Sequence, residues 1–259
     1  MLKIFSLFVV LYTLSCLFLY IKQRSILYFP TAENVNTSTD LLWLQTSDAT
    51  LKIWIINKDE SNQQKPAILY FGGNSETVED NITDYKNMFS DFTVYIINYR
   101  GYGGSTGKPT EAGLFSDALS IYDQLIEQHS SISVIGRSLG SGVASYVAAH
   151  RDVLKLVLIT PYDSIRNVAQ SRYPFFPVKW LIKDHFDSTS YASSINSQIL
   201  VMYAEHDQVV PMVHTKELLK FLPSAKSHLI KGTAHNDISS NISYQKILKD
   251  FFDLANDSG

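Results

Sequence analysis

Cysteine is nearly absent: Cys16 is the only one in the chain, so no disulfide can form within it and no thiolate metal site can be assembled. No His-Glu-x-x-His pattern occurs either, and neither a metal nor a cofactor is expected. A basic stripe is also missing. Lysine and arginine are scattered and the formal net charge is -3, so nucleic acid is not an expected partner. Internal repeats, low-complexity tracts and linkers that would split the chain are lacking, which leaves one large domain after the amino terminus.

Charge itself is missing over one stretch. From Ile4 to Ile21 the chain is apolar with a few small or hydroxylated residues, and at 1.5 Å per residue a helix over it reaches about 27 Å, close to the hydrocarbon thickness of a bilayer. Lys3 precedes it and Lys22 and Arg24 follow; these flanks are nearly balanced and set no orientation. Residues 1–24 are expected to form an uncleaved single-pass membrane anchor. A cleaved signal, with Thr13 and Ser15 before the cut, is the alternative, and a buried core helix is a third reading. Cys16 reads as one more apolar residue, because Thr13-Leu14-Ser15 is a poor lipobox. The sequons at Asn36, Asn81 and Asn241 carry meaning only in a compartment that glycosylates.

Residues 25–259 alternate strands and helices. Leu41–Gln45 and Leu51–Ile56 read as an antiparallel pair around Ser47-Asp48-Ala49-Thr50. Further strands are expected at Ala67–Phe71, Thr93–Asn98, Ile132–Ile135, Lys155–Thr160, Ile199–Tyr203 and Ser227–Ile230. Glu76–Phe89 has the length of a surface helix. Thr110 caps the next helix, with Leu114, Ala118, Ile121, Leu125 and Ile126 on its apolar face. A last helix shows Ile247, Leu248, Phe251, Phe252 and Leu254 on one side. Such alternation implies a mostly parallel sheet covered on both faces.

The five residues Gly136-Arg137-Ser138-Leu139-Gly140 sit between an apolar strand and a small-residue helix. That is the setting of a nucleophile elbow, in which the glycines let strand and helix pass closely. A serine hydroxyl attacks a carbonyl only when a base takes its proton, and the base needs a carboxylate to fix its tautomer. Downstream, in the order that elbow folds use, come Asp207 after one strand and His235 after the last. All three fall at the carboxyl edge of the sheet, where open α/β sheets place their sites. Glu205 and Asp163 are rival acids; His206 and His228 are rival bases.

An oxyanion hole needs two backbone N–H groups. Leu139 supplies one, and Gly73 is favoured for the other, with Asn74 as the alternative. The run Arg100 to Lys108 is rich in glycine but fails both nucleotide templates: Thr106 stands where the dinucleotide motif needs its third glycine, and Pro109 follows Lys108 where a P-loop needs Ser or Thr. It is expected to shape the wall of the site. Residues 162–193 interrupt the alternation and include Tyr173-Pro174-Phe175-Phe176-Pro177. The prolines break a single helix, and a small cap with an apolar pocket over Ser138 fits this better than a plain crossover.

With these stretches in view the chain resembles the α/β-hydrolase superfamily over nearly all of its length after the anchor. More narrowly it resembles small membrane-anchored Bem-type serine hydrolases, related to depalmitoylase-like and monoacylglycerol-lipase-like proteins. The resembling stretches are Gln23–Pro30, Phe71–Glu76, Asn98–Gly103 through Pro109-Thr110-Glu111, Gly136–Gly140, Pro161-Tyr162-Asp163-Ser164, Asp207–Pro211 and His235-Asn236-Asp237. The resemblance implies an eight-stranded α/β-hydrolase sheet with a small cap. It also implies Ser138 as nucleophile, His235 as base, Asp207 as orienting acid, and Gly73 and Leu139 as oxyanion donors. One departure stands out: where the family often has His-Gly-Asn, this chain has Phe71-Gly72-Gly73, so any role of the histidine side chain is lost. The expected activity is hydrolysis of an ester or thioester with a small-molecule or acyl-lipid substrate. A peptidase or amidase, and an inactive tethered binding module, are the alternatives.

Overall fold

The computed structural model describes residues 1–33, 39–58 and 64–253; Asn36 and Leu254, singled out in the sequence, lie outside them. Helix α1 (Leu2–Leu27) is followed by β1 (Asp40–Gln45), β2 (Thr50–Ile56), β3 (Ala67–Phe71), α2 (Ile82–Met88) and β4 (Thr93–Ile97). Then come α3 (Glu111–Leu125), β5 (Ile132–Arg137), α4 (Leu139–His150), β6 (Lys155–Ile159), α5 (Ile165–Arg172) and α6 (Val178–Leu181). The chain closes with β7 (Gln198–Ala204), α7 (Met212–Leu219), β8 (Lys226–Ile230) and α8 (Ile242–Phe252).

The 8-stranded sheet has the order β1-β2-β4-β3-β5-β6-β7-β8. The β1–β2 and β2–β4 pairings are antiparallel and the rest are parallel. This is the α/β-hydrolase fold. Fully buried runs such as Ala67–Phe71 make the central strands, because both faces are covered. Alternation in β3 divides the core: Ala67, Leu69 and Phe71 face the layer holding α3 and α4, whereas Ile68 and Tyr70 face α2 and α8. Each large apolar side chain buried this way contributes about 1.5–3 kcal/mol before conformational entropy is subtracted.

Local differences from the expected elements have local causes. Residues 76–89 do not form one helix: a 3₁₀ turn, Val78–Asn81, precedes the seven residues of α2. Glu76 is instead drawn inward by hydrogen bonds from Tyr70 and Gly73. Thr110 caps α3 as expected, its hydroxyl oxygen accepting from Gly113 N at 3.0 Å. Helix α8 buries Tyr244, Leu248 and Phe252, with Ile247 and Phe251 packed at the margin. Helix α1 runs to Leu27 without one buried residue; its 26 residues are long and apolar enough to cross a membrane.

Candidate active site

Ser138 stands between β5 and α4 with φ 51° and ψ -117°. A side chain held in that region costs about 1–3 kcal/mol and persists only where its surroundings enforce it. Here Ser138 N–H donates to Ile159 O at 2.8 Å, and its carbonyl accepts from Ser141 N at 2.9 Å and from Ser141 Oγ at 2.6 Å. The flanking glycines are required sterically. A Cβ on Gly136 would lie 2.3 Å from the Gly140 carbonyl oxygen, and one on Gly140 would lie 2.0 Å from that of Phe71.

The loops after β7 and β8 bring Asp207 and His235 to this serine. His235 Nδ1 is 2.7 Å from Asp207 Oδ2, and His235 Nε2 is 2.9 Å from Ser138 Oγ. A carboxylate donates nothing, so Nδ1 carries the proton and Nε2 is left to accept the serine hydroxyl. The other carboxylate oxygen of Asp207 accepts from Val209 N at 2.9 Å and Val210 N at 2.8 Å, which fixes the acid from behind. Both side chains are buried, at 7% and 3% exposure. Such an arrangement can remove a proton from Oγ as it attacks.

The rival residues lie elsewhere. His206 is mostly exposed, Glu205 accepts from Gly232 N, and His228 is on the exposed strand β8. Asp163 has its own histidine: Oδ1 lies 2.8 Å from His214 Nδ1, while Oδ2 accepts from Asn167 Nδ2 at 2.6 Å. Burial alone would push this carboxyl up, but the bonds from His214 and Asn167 outweigh it and hold its pKa below the ordinary value. A depressed folded-state pKa gives stability that is present above the unfolded value of about 3.9 and is lost as pH falls through the folded one. Asp163→Ala is expected to lower stability at pH 7 by about 1–3 kcal/mol, because it leaves the buried Nδ1 of His214 without its hydrogen-bond partner. Urea unfolding of mutant and parent should show that gap narrowing below about pH 4; a gap independent of pH would contradict it.

At one of the two backbone positions expected to face an oxyanion, the hydrogen bonding differs from expectation. Leu139 opens α4, where backbone N–H groups are free of helical acceptors. The N–H of Gly73, however, donates to Glu76 Oε2 at 2.7 Å and is not available to a ligand. Asn74 is the residue of that turn which lines the cavity beside Ser138 and Leu139. Among the described residues nothing accepts its N–H, whereas its carbonyl accepts from Tyr102 Oη and Phe29 N.

Two residues that sequence reasoning missed brace this turn. Glu76 also accepts from Tyr70 Oη and Asn81 Nδ2 and pairs with Arg137 Nη1 at 3.1 Å. Arg137 Nη2 in turn reaches the carbonyls of His235 and Asn236, at 3.3 and 3.4 Å. One ion pair thus links the Gly72–Asn74 turn to the His235 loop. The clue was the charged residue inside the glycine-flanked motif, which no surface role requires. The glycine-rich loop 100–108 is a correction too. It does not line the cavity; Tyr102 Oη in it donates to Asn74 O, and Tyr99 Oη just before it donates to Gly72 O.

A cavity of about 530 Å³ opens above Ser138, within the range of small-ligand sites. One wall is the segment carrying α5 and α6, with Ile165, Val168 and Phe176 facing in. A second wall is α1, through Leu19, Tyr20, Gln23 and Leu27. Polar contacts clamp the two together. Arg24 Nε and Nη2 reach Asp184 at 2.8 and 3.1 Å, and Gln23 binds the backbone of Leu181 and Lys183.

Residues 66–184 match the family described as alpha/beta hydrolase fold. An uncharacterized protein of Mycobacterium tuberculosis is 30% identical over 234 residues, covering 85% of this chain and 83% of that one. The chain belongs to the α/β-hydrolase family. This α/β-hydrolase is 28% identical to protein bem46 of Schizosaccharomyces pombe, over 90% of its own length and 87% of the relative's. It is 31% identical to the lysophosphatidylserine lipase ABHD12 of Danio rerio, over 72% of its length and 58% of the lipase. Among solved structures, the esterase Pf2001 of Pyrococcus furiosus superposes with a TM-score of 0.66 at 16% identity, covering 86% of this chain and 97% of the esterase. That likeness is one of fold. The narrower resemblance to Bem-type proteins thus has a relative behind it, and the chain is a hydrolase.

Proposed function

We propose that this hydrolase cleaves a carboxylic ester or thioester bearing an apolar acyl group, through an acyl-enzyme on Ser138. The carrying observation is the continuous chain of hydrogen bonds from Asp207 through His235 to Ser138 Oγ at the floor of an apolar cavity. In the first half-reaction Oγ attacks the carbonyl carbon while its proton passes to His235 Nε2. The tetrahedral oxyanion is held by the N–H groups of Leu139 and Asn74, and His235 returns the proton to the leaving oxygen or sulfur. In the second, water takes the place of the leaving group, attacks the acyl carbon with His235 as base, and frees Ser138.

The lining supports an acyl chain, since Ile165, Val168, Val178 and Leu181 offer it nothing to hydrogen-bond. The lipase relative acts on lysophosphatidylserine, which agrees with a lipid acyl substrate. In this reading α1 tethers the enzyme to a membrane, and residues 162–193 form the cap. A panel of p-nitrophenyl esters from acetyl to palmitoyl, beside aminoacyl p-nitroanilides, tests it. Esters are expected to turn over with kcat/KM rising by roughly tenfold from two to eight carbons, as buried methylenes add transition-state binding. Turnover of the anilides and not of the esters would contradict it.

A further inference from the structure

The apolar run Ile4–Ile21 has Tyr12 near its middle, about 12 Å along the helix from Ile4. Tyr12 is not free. Its hydroxyl donates to the carbonyl of Phe175 at 2.9 Å, and its ring stacks on Phe176 with centroids 5.9 Å apart and planes 8° apart. The tip of the α5–α6 segment is therefore fixed to the centre of the membrane-length helix. If the run is centred in a bilayer, the tip lies below the headgroups. If α1 is lifted until the tip is in water, only Ile4–Leu11 remain inserted, about 12 Å against a hydrocarbon core near 30 Å.

The tip is aromatic and apolar apart from Lys179, whose side chain is long enough to carry its ammonium back towards the headgroups. Phe175 and Trp180 are 86% and 88% exposed, with Tyr173 beside them; large aromatics rarely stand so far into water unless something covers them. In hydrocarbon the backbone must be satisfied internally. Pro174 and Pro177 bring no N–H. The N–H groups of Phe176, Val178 and Trp180 donate to Tyr173, Phe176 and Pro177 carbonyls. Gln170 spends its whole side-chain amide on the same segment, donating to the carbonyls of Tyr173 and Phe176 and accepting from Lys179 N. Further down α1, Lys183 Nζ sits 4.2 Å above the Tyr20 ring, near Lys22 and Arg24. That pairing of aromatic and cation marks the interfacial level.

We infer that residues 173–180 insert into the lipid leaflet alongside α1, so that the enzyme holds the membrane by a helix and an aromatic tip together. Tyr20, Tyr173 and Phe176 line the catalytic cavity, so the wall that α1 and the tip build together then borders the leaflet, and an acyl chain enters from lipid. This rests on the reading of α1 as a membrane anchor.

The test uses the full chain, with Cys16→Ser as background, reconstituted in phosphatidylcholine vesicles. Spin labels at Val9→Cys, Phe175→Cys, Trp180→Cys and Ile242→Cys are compared for collision with oxygen and with a soluble nickel chelate. Labels at 175 and 180 are expected to match position 9, oxygen-accessible and shielded from nickel, with 242 showing the reverse. Nickel access at 175 and 180 with position 9 shielded overturns the inference while the anchor stands. Nickel access at position 9 removes the anchor and the inference with it. In a second arm, Phe175→Ser/Trp180→Ser is expected to raise KM for a vesicle-borne long-chain ester by roughly fivefold or more while soluble p-nitrophenyl acetate turns over within about twofold of the parent. An equal loss on both substrates, or none on either, counts against it.

Discussion

Replacing Ser138 with alanine is expected to lower ester turnover by roughly 10⁴-fold or more while leaving the fold intact. The side chain lost is small, and the strained backbone at φ 51° becomes no harder for alanine than for serine to adopt. His235 and Asp207 keep their mutual bond, so the site remains assembled but lacks the atom that forms the acyl bond. Residual rate would come from the backbone donors and the cavity alone. Steady-state kinetics on a p-nitrophenyl ester, with circular dichroism to verify folding, decide the matter. Turnover within tenfold of the parent would place the reacting atom elsewhere.

Asp207→Asn is expected to cost about 10³- to 10⁴-fold in kcat with little change in KM. The argument runs through donors and acceptors. Val209 N and Val210 N both point at one oxygen of residue 207, so an asparagine keeps its carbonyl there and turns its NH₂ group towards His235 Nδ1. Two donors cannot face each other. The imidazole then carries its proton on Nε2, where it cannot accept from Ser138 Oγ. Fluorophosphonate labelling rates of parent and mutant report the same defect without a substrate. Equal rates would show that Asp207 does not set the tautomer.

Much of the fold is legible in the sequence because short apolar runs bounded by glycine and polar turns leave few alternatives. The strands around Leu69, Val134 and Val157 lie where periodicity puts them, within a residue or two at their ends. The residues brought together at the carboxyl edge could be read from order and strand position, since topology alone sends the ends of β5, β7 and β8 to one side. The rest depends on directions and distant partners that a sequence does not carry. Whether Gly73 or Asn74 aims its N–H at the cavity is decided by Glu76 capturing the former. The purpose of the loop 100–108 follows from where the hydroxyls of Tyr102 within it and Tyr99 just before it reach, not from its glycines. Nothing in the apolar run of α1 announces that Gln23 and Arg24, just past its end, clamp the helix to residues some 160 positions away, making it a wall of the cavity.

These contacts join two features that a linear reading treats separately, an apolar amino-terminal helix and a hydrolase domain. The Arg24–Asp184 pair is half shielded, with the carboxylate at 5% side-chain exposure, and Asp184 also accepts from Glu111 N at 3.2 Å. Glu111 in turn accepts from the backbone of His185 and Phe186. Burial raises the Glu111 carboxyl above its ordinary range despite those two bonds. The helix, the start of α3 and the end of the α5–α6 segment are thereby tied at one junction.

The most direct measurement is the intact mass of the purified full-length protein after treatment with a fluorophosphonate, followed by mapping of the labelled peptide. The account predicts one adduct per chain, on Ser138, formed rapidly in the parent and absent in Ser138→Ala. A folded parent that takes up no label, or carries it on another residue, would contradict it.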